Sequence, residues 1–467
     1  MKRITLIGLL VFVLSGAGLT GCKKLIEIGA PQNQLVTSSV FTDTVTVEAA
    51  VLGMYSKAAN YNPGTDFGTA TTLYNGMSSD EGYYFPTYLD AFTQNALTPT
   101  LYYIDGYWSN LYNIIYTANS LIAGDSASSS LPVSYKARTI GEAKFIRALC
   151  YFYLVNEYGA VPLVLTTEAQ TATNQPRDSV GTVYDQILKD LTDAQSVLPA
   201  DLSLYSGNRI RATTWAAEAL LARVYLYRAN WSQAQAMATA VIGNPGLFSM
   251  VTDPTKVFLA NSTEGLLQFP PPFTSSWMTT NLAWPSYSLT PNFVLSDSLY
   301  AAFETGDLRL ADWVGIKSYG GTNYPYPYKY KYSNGVGAVE DAQLLRMSEQ
   351  YLIRAEAETQ LANFASAAAD LNVVRTRAGL PNTTAADMPS LKAAIEHECR
   401  IEFFCEWGHR WLDLKRWPGI ANPAVTRADE VYPRDKTTPW LSTDALYPIP
   451  QPEINVNPNL TQNPGYN

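Results

Sequence analysis

Histidine and cysteine are scarce in this chain, and their scarcity excludes several kinds of site. The 467 residues include two histidines and four cysteines. Structural zinc sites are usually built from CxxC pairs, and the sequence contains none. Cys399 and Cys405 lie six residues apart on a predicted helix, pointing in directions too different for an easy disulfide. We therefore predict neither a metal site nor a disulfide framework.

The common catalytic motifs are also missing. There is no GxSxG, no P-loop and no GxGxxG after a strand. His397-Glu398 begins like the zinc motif HExxH, but Ile401 stands where the second histidine is required. Asp80 and Glu81 form an acidic pair of the type that glycosidases use, although adjacent side chains usually point apart. We predict no catalytic residue and no cofactor, and a glycosidase that uses this pair is the weaker alternative.

Charged residues are few, and their balance is negative. They make up 16% of the chain, with a formal net charge of −9. This balance argues against nucleic acid or an anionic membrane surface as a partner. The chain is instead rich in tyrosine (31) and tryptophan (10), which is typical of a folded protein that presents aromatic surface.

The N-terminus has the pattern of an export signal. Lys2 and Arg3 precede an apolar run, Ile4–Leu14, that is too short to span a bilayer. Small residues then precede Cys22, as in a bacterial lipobox. We predict a signal peptide over residues 1–21, followed by lipidation of Cys22 and stable membrane attachment. The alternative is an ordinary secretory signal that happens to contain a cysteine.

Helical periodicity predicts a mostly α protein. Apolar residues recur at helical spacing in three parts of the chain, at about 44–60, 107–243 and 343–417. Within 211–242, small and aromatic residues occupy the usual positions of a tetratricopeptide hairpin. The same frame returns 133 residues later, where Asn363-Phe364 matches Asn230-Trp231 at the turn. The pattern predicts a tetratricopeptide-like helical-repeat scaffold with two hairpins in register.

The rest of the chain predicts a large irregular, loop-rich lobe, at about 61–106, 244–342 and 418–467. Residues 61–116 and 277–332 hold 27 of the 57 aromatic residues, twice their share of the length. Many follow neither helical nor strand spacing, so core packing explains them poorly. Aromatic rings on loops are suited to stacking on the apolar faces of sugars. The predicted glycan-binding residues are Tyr74, Asp80, Tyr83, Tyr84, Tyr88, Trp277, Trp284 and Tyr287.

The stretch from Leu391 to Trp417 concentrates both histidines, two cysteines and many charged residues. On a single helical wheel its apolar residues share one face. The opposite face carries Glu402, Glu406, Arg410 and Asp413. The prediction is one helix that closes the scaffold, with exposed charges that contribute ~0.2–0.5 kcal/mol per pair.

Motifs spread over nearly the whole chain carry a family resemblance. In chain order they are Cys22–Leu35, Gly141–Leu149, Tyr158–Leu163, Arg346–Ala357, Glu398–Arg416, Tyr447–Pro450 and Gln462–Tyr466. Together they resemble the SusD/RagB family, the surface glycan-binding lipoproteins of the Bacteroidetes. Cys399 departs from the pattern, because relatives usually have arginine there.

The resemblance implies one SusD-like domain over residues 22–467 and a protein that is not an enzyme. Such a protein is lipid-anchored to the outer membrane at the cell surface. It captures oligosaccharides and delivers them to a SusC-like TonB-dependent transporter. The resemblance also implies binding aromatics in the loop after the first helix and in the large insertion. Two alternatives stay open, which are binding of peptides for the same kind of transporter and a tetratricopeptide protein-interaction scaffold.

Overall fold

A computed structural model of the chain describes residues 40–59, 66–271, 292–332, 339–436 and 438–466. The predicted signal peptide, the lipidation site Cys22 and three predicted binding residues, Trp277, Trp284 and Tyr287, lie outside the described residues. In the part of the chain that the structure describes, no helix is long and apolar enough to cross a membrane.

The first part of the chain is mostly helical. Its helices are α1 (Thr44–Ala59), α2 (Phe67–Ser78), α3 (Asp90–Thr93), α4 (Tyr102–Ala127), α5 (Val133–Tyr158), α6 (Ala169–Thr173), α7 (Val180–Val197), α8 (Thr214–Tyr227) and α9 (Trp231–Ile242). Strand β1 (Gly82–Tyr84) lies between α2 and α3.

The second part begins with strands and ends with helices. The strands are β2 (Gly265–Phe269), β3 (Phe293–Leu295), β4 (Val314–Tyr319), β5 (Thr322–Pro327) and β6 (Ala342–Arg346). The helices are α10 (Asp297–Tyr300), α11 (Leu308–Trp313), α12 (Met347–Gln360), α13 (Phe364–Arg377), α14 (Met388–Glu402), α15 (His409–Arg416), α16 (Arg427–Asp435) and α17 (Gln451–Val456). The strands form antiparallel pairs, β1 with β3, β2 with β6 and β4 with β5.

The long helices form a continuous array. Going along it, α4 packs on α5, α5 on α7, α7 on α8, and α8 on α9. Helix α9 then packs on α12, although the two are separated by all of β2 to β6 in sequence. Helix α12 packs on α13, and α14 contacts both. This succession of neighbouring helices confirms the predicted tetratricopeptide-like scaffold.

The two predicted hairpins have matching turns. Ala229 and Ala362, which are equivalent in the repeat, both have a left-handed backbone, with φ of 53° and 61°. The small residues at the helix contact, such as Ala234 and Ala367, are fully buried and allow close approach of the helices. Glu358, which replaces the usual tyrosine, is also buried, and it accepts a hydrogen bond from Gln235 at 3.3 Å.

The left-handed turn predicts a stabilising substitution. Ala362→Gly should raise the free energy of unfolding by about 0.5–1 kcal/mol, because glycine adopts positive φ without the steric cost that alanine has. Denaturant titration of the variant measures this change. Ala369→Gly is the matched control, since Ala369 is exposed within α13 and should instead lose about 0.5–1 kcal/mol. A loss of stability in Ala362→Gly would contradict the prediction.

Helix α2 lies inside a stretch that the sequence predicts as irregular. All twelve of its residues are buried. A helix that is covered on every side has no polar face, so its sequence shows no amphipathic period. Its first turn is closed by Asp66, which accepts a hydrogen bond from Thr69 N at 2.7 Å.

The predicted continuous helix over Leu391–Trp417 is wrong. Helix α14 ends at Glu402 and α15 begins at His409. In between, Cys405, Trp407 and Gly408 have left-handed φ of 53°, 47° and 72°. At Gly408 a Cβ atom would lie 2.2 Å from the side-chain nitrogen of Asn75, so only glycine fits there.

Residues of α2 and of the segment just after it accept hydrogen bonds from the backbone that this break frees. Cys405 N donates to the Glu81 carboxylate at 3.1 Å, just beyond α2, and Trp407 N donates to Thr72 Oγ1 at 3.2 Å. The Trp407 indole donates to Gln343 O at 2.6 Å. Tertiary partners therefore replace the helical hydrogen bonds that a continuous helix would have made.

The prediction that the charges of this stretch are exposed is also wrong. Glu402, Glu406, Arg410 and Asp413 are all buried. Glu402 accepts hydrogen bonds from Arg309 at 2.9 Å and from Arg346 and Arg377. Arg346 also pairs with Glu264 at 2.9 Å. These partners come from distant parts of the chain, so the helical wheel alone could not reveal them.

Candidate functional site

Strand β1 divides the aromatic residues that follow α2 between two sides. Successive side chains of a strand point to opposite faces, so Tyr84 lies on one face and Tyr83 and Phe85 on the other. Tyr83 pairs with Val294 of β3, and Phe85 N donates to Asn292 O at 2.7 Å. The strand pair therefore holds these rings in fixed directions.

One face carries an aromatic row, which consists of Tyr84, Tyr88, Tyr103 and Tyr102. Neighbouring ring centroids lie 5.5 Å apart for Tyr84 and Tyr88, 6.2 Å for Tyr88 and Tyr103, and 5.6 Å for Tyr103 and Tyr102. Tyr88 and Tyr102 are 57% and 67% exposed. The row thus offers solvent several ring faces on which a ligand can stack.

The other face carries a second group, the hairpin cluster, which consists of Phe85, Tyr319 and Tyr324. Phe85 lies 5.7 Å from Tyr319 and 5.5 Å from Tyr324 between ring centroids. Both tyrosines flank the turn of the β4–β5 hairpin, at Gly320-Gly321. These glycines have φ of 59° and 83°, as a tight two-residue turn requires.

A polar cavity of about 330 Å³ opens beside Tyr83. Its lining includes Asp80, Ser296, Asp297, Ser298 and Lys436. Lys436 Nζ donates to Met77 O and Ser79 O at 2.6 and 2.5 Å. Desolvation lowers the pKa of the Lys436 ammonium to about 7. Hydrogen-bonding groups therefore stand next to the ring of Tyr83, and a sugar requires this combination of polar groups and an aromatic ring.

Two of the predicted residues do not present themselves to a ligand. Tyr74 is fully buried and stacks on Phe92, with centroids 4.1 Å apart. Asp80 is also buried, and Arg410 binds its two oxygens at 2.7 and 2.8 Å while Arg400 lies 2.9 Å from one of them. Burial opposes ionisation of Asp80, but the two arginines outweigh it and hold its pKa below the usual range. Tyr74 therefore belongs to the core, and both oxygens of Asp80 are already bonded to arginine.

Tyr84 and Tyr88 are neighbours in the aromatic row, whereas Tyr83 lies on the opposite face of β1, beside the polar cavity. The predictions for Trp277, Trp284 and Tyr287 fall outside the described residues. Sequence reasoning missed Tyr102, Tyr103, Tyr319 and Tyr324. The signal for the last two was the Gly-Gly pair between aromatic strands. In the described ranges, no three His, Cys, Asp or Glu residues are grouped to hold a metal ion.

Two family models match the chain. Residues 271–466 match the SusD family, and residues 31–226 match a family described as starch-binding associating with outer membrane. A SusD-like protein from Bacteroides ovatus is 26% identical, with 88% of this chain and 82% of that protein aligned. A SusD-like protein from Formosa agariphila is also 26% identical, over 98% of this chain and 99% of its own length.

Solved structures share the fold. A SusD superfamily protein from Bacteroides vulgatus superposes with a TM-score of 0.77 at 21% identity, covering 91% of this chain and 99% of that one. A laminarin binding SusD-like protein superposes with a TM-score of 0.74 at 24% identity, covering 91% of this chain and all of that one. With both family models and full-length relatives in agreement, the chain belongs to the SusD family.

Proposed function

We propose that this protein binds oligosaccharides at the cell surface without catalysis and delivers them to a SusC-like TonB-dependent transporter of the outer membrane. The observation that carries the proposal is the aromatic row, in which Tyr88 and Tyr102 are exposed to solvent. The matching family described as starch-binding, and a laminarin binding protein of the same fold, support a glucan as the ligand class. Attachment through a lipid on Cys22 rests on the lipobox-like sequence.

The arrangement of rings favours stacking along an extended ligand. The apolar C–H face of a pyranose packs flat on a ring, and its hydroxyls point outward to polar groups. Tyr88 and Tyr102 are the two exposed rings of the row, so two rings are available to stack on sugar units of one ligand. On the other face of β1, Tyr83 shares a polar cavity with Asp297 and Lys436, which are suited to bonding hydroxyls.

The acidic pair is not arranged for glycoside hydrolysis. Both oxygens of Asp80 are occupied by arginines, and Glu81 is buried with one oxygen bonded to Cys405 N. Neither carboxyl group is placed to protonate a leaving group or to activate a water on a bound sugar. This geometry supports the non-catalytic form of the proposal.

Tyr88→Ala should weaken binding of laminarin- or starch-derived hexasaccharides about two- to tenfold, because one exposed stacking ring contributes roughly 0.5–1.5 kcal/mol. The double variant Tyr88→Ala/Tyr102→Ala should lose most of the affinity. Isothermal titration calorimetry measures both changes.

Tyr88→Phe is the matched control for this experiment, since it keeps the ring and should bind nearly as the wild type does. Hexasaccharide affinity that is unchanged in the double variant would overturn the assignment of the site. A wild-type protein that binds peptides but none of the glucans would favour the peptide alternative.

A further inference from the structure

A second cavity, of about 380 Å³, lies elsewhere on the helical scaffold. Helix α4 forms one wall, and the extended residues 162–166, helix α6 and helix α17 form the others. Its volume falls within the range of small-molecule sites. Tyr116 at its edge follows Tyr102 of the aromatic row by fourteen residues on α4, which corresponds to about 21 Å of helix.

The aromatic lining of this cavity comes from one face of α4. Trp108, Tyr112 and Tyr116 follow at intervals of four residues and therefore line up along the helix. Their exposure increases along this line, since Trp108 is buried, Tyr112 is half-buried and Tyr116 is 56% exposed. The cavity thus has a packed aromatic floor and one free ring at its edge.

Hydrogen bonds hold the walls of the cavity in place. Tyr112 OH donates to Pro162 O at 2.8 Å, and Asn119 Nδ2 donates to Val164 O at 3.0 Å. On the opposite side, Asn457 Nδ2 donates to Gln175 O at 2.8 Å and ties the end of α17 to the loop after α6. Because the walls of the cavity are already held in place, little conformational entropy is lost when a ligand binds.

Glu453 of α17 supplies a carboxyl group to this lining. Burial, together with the nearby charge of Asp105, raises its pKa, and the Ser109 hydroxyl hydrogen-bonds it. A carboxyl group beside aromatic rings is the usual partner of sugar hydroxyls, whereas a purely apolar ligand would leave it without compensation for its lost water. The lining therefore favours a ligand with one apolar face and several hydroxyls.

We propose that this cavity is a second saccharide site, which takes one or two pyranose units against Tyr116 with their hydroxyls bonded to Glu453. The ligand class rests on the proposed function, but the site is separate from the aromatic row. One glycan chain that lies along α4 reaches both sites, or two chains bind independently. Either way, the scaffold itself contributes to glycan capture.

The test is the number of disaccharide molecules bound per chain at saturation, measured by equilibrium dialysis with laminaribiose and with maltose. The wild type should bind two molecules of the accepted disaccharide. Tyr116→Ala and the row variant Tyr88→Ala/Tyr102→Ala should each bind one, and the triple variant none. Tyr116→Phe keeps the ring and should bind two. Because Tyr88, Tyr102 and Tyr116 are exposed, these changes should leave folding intact, which circular dichroism checks.

The outcomes separate this inference from the proposed function. A Tyr116→Ala protein that still binds as many molecules as the wild type, or a row variant that binds none, overturns the second site and leaves the aromatic row standing. A row variant that keeps all wild-type binding overturns the row. In that case, the loss of one bound disaccharide in Tyr116→Ala still supports the cavity as a binding site. A wild type that binds neither disaccharide overturns both.

Discussion

Glu402→Gln is expected to lower the free energy of unfolding by about 3–5 kcal/mol, because the substitution removes one partner of a buried ionic network. Arg309, Arg346 and Arg377 all bond to the Glu402 carboxylate, and each of the four side chains is at least 94% buried. Without that carboxylate, three guanidinium groups face each other with less compensation. The penalty is therefore far larger than that of an exposed pair.

Urea titration of Glu402→Gln, monitored by circular dichroism, measures this effect. The control is Asp193→Asn, which breaks the pair of Lys144 and Asp193 at 2.7 Å, where the Asp193 side chain is 42% exposed. That change should cost less than about 1 kcal/mol. A Glu402→Gln protein within 1 kcal/mol of the wild type would refute the prediction.

Low pH should reduce the difference in the free energy of unfolding between Glu402→Gln and the wild type. Burial opposes ionisation of Glu402, but the three arginines outweigh it and keep its pKa well below the usual range. A depressed carboxyl pKa contributes stability that is present above the unfolded pKa and is lost as the pH falls through the folded pKa. The difference should therefore be complete at pH 7 and should shrink once the pH falls below about 4.

At alkaline pH, Glu81→Gln is expected to raise the free energy of unfolding relative to the wild type, whereas Glu402→Gln lowers it. Glu81 is buried, and its Oε1 has no hydrogen-bond partner among the described residues. Burial, with the neighbouring charge of Asp80, raises the pKa of Glu81 to about 8. The contribution of such a group is fully present below its unfolded pKa, near 4.5, and is lost as the pH rises through about 8.

Between pH 5 and pH 9 the wild type should lose stability relative to Glu81→Gln by on the order of 3–5 kcal/mol. The glutamine is neutral throughout, so it never has to ionise in a buried position. Denaturant titrations of both proteins at several pH values give this difference, in which the other titrating groups cancel. Glu168→Gln, at an exposed position, should follow the wild type. A wild-type–variant difference that is constant with pH would contradict the raised pKa.

Residues of the candidate site could be predicted from the sequence only where the aromatic side chains are not packed in the core. Tyr83 and Tyr88 are exposed and Tyr84 is partly buried, whereas Tyr74, which has similar neighbours in sequence, is in the core. The difference arises because α2 is covered on all sides, so a tyrosine on it packs against Phe92. The aromatic content of a segment does not show whether a given ring lies on a buried helix or at the end of an exposed strand.

The sequence by itself determined the helical scaffold and its two matching hairpins. Small residues at fixed spacing act locally, through the close approach of two helices that are adjacent in the chain. The tertiary structure alone decided the break after Glu402, the burial of its charges and the division of aromatics between surface and core. These features depend on residues that lie far away in sequence, such as Thr72 for Trp407 and Arg346 for Glu402. The free energy of burying a charge or bending a helix depends on such partners, and no local pattern records them.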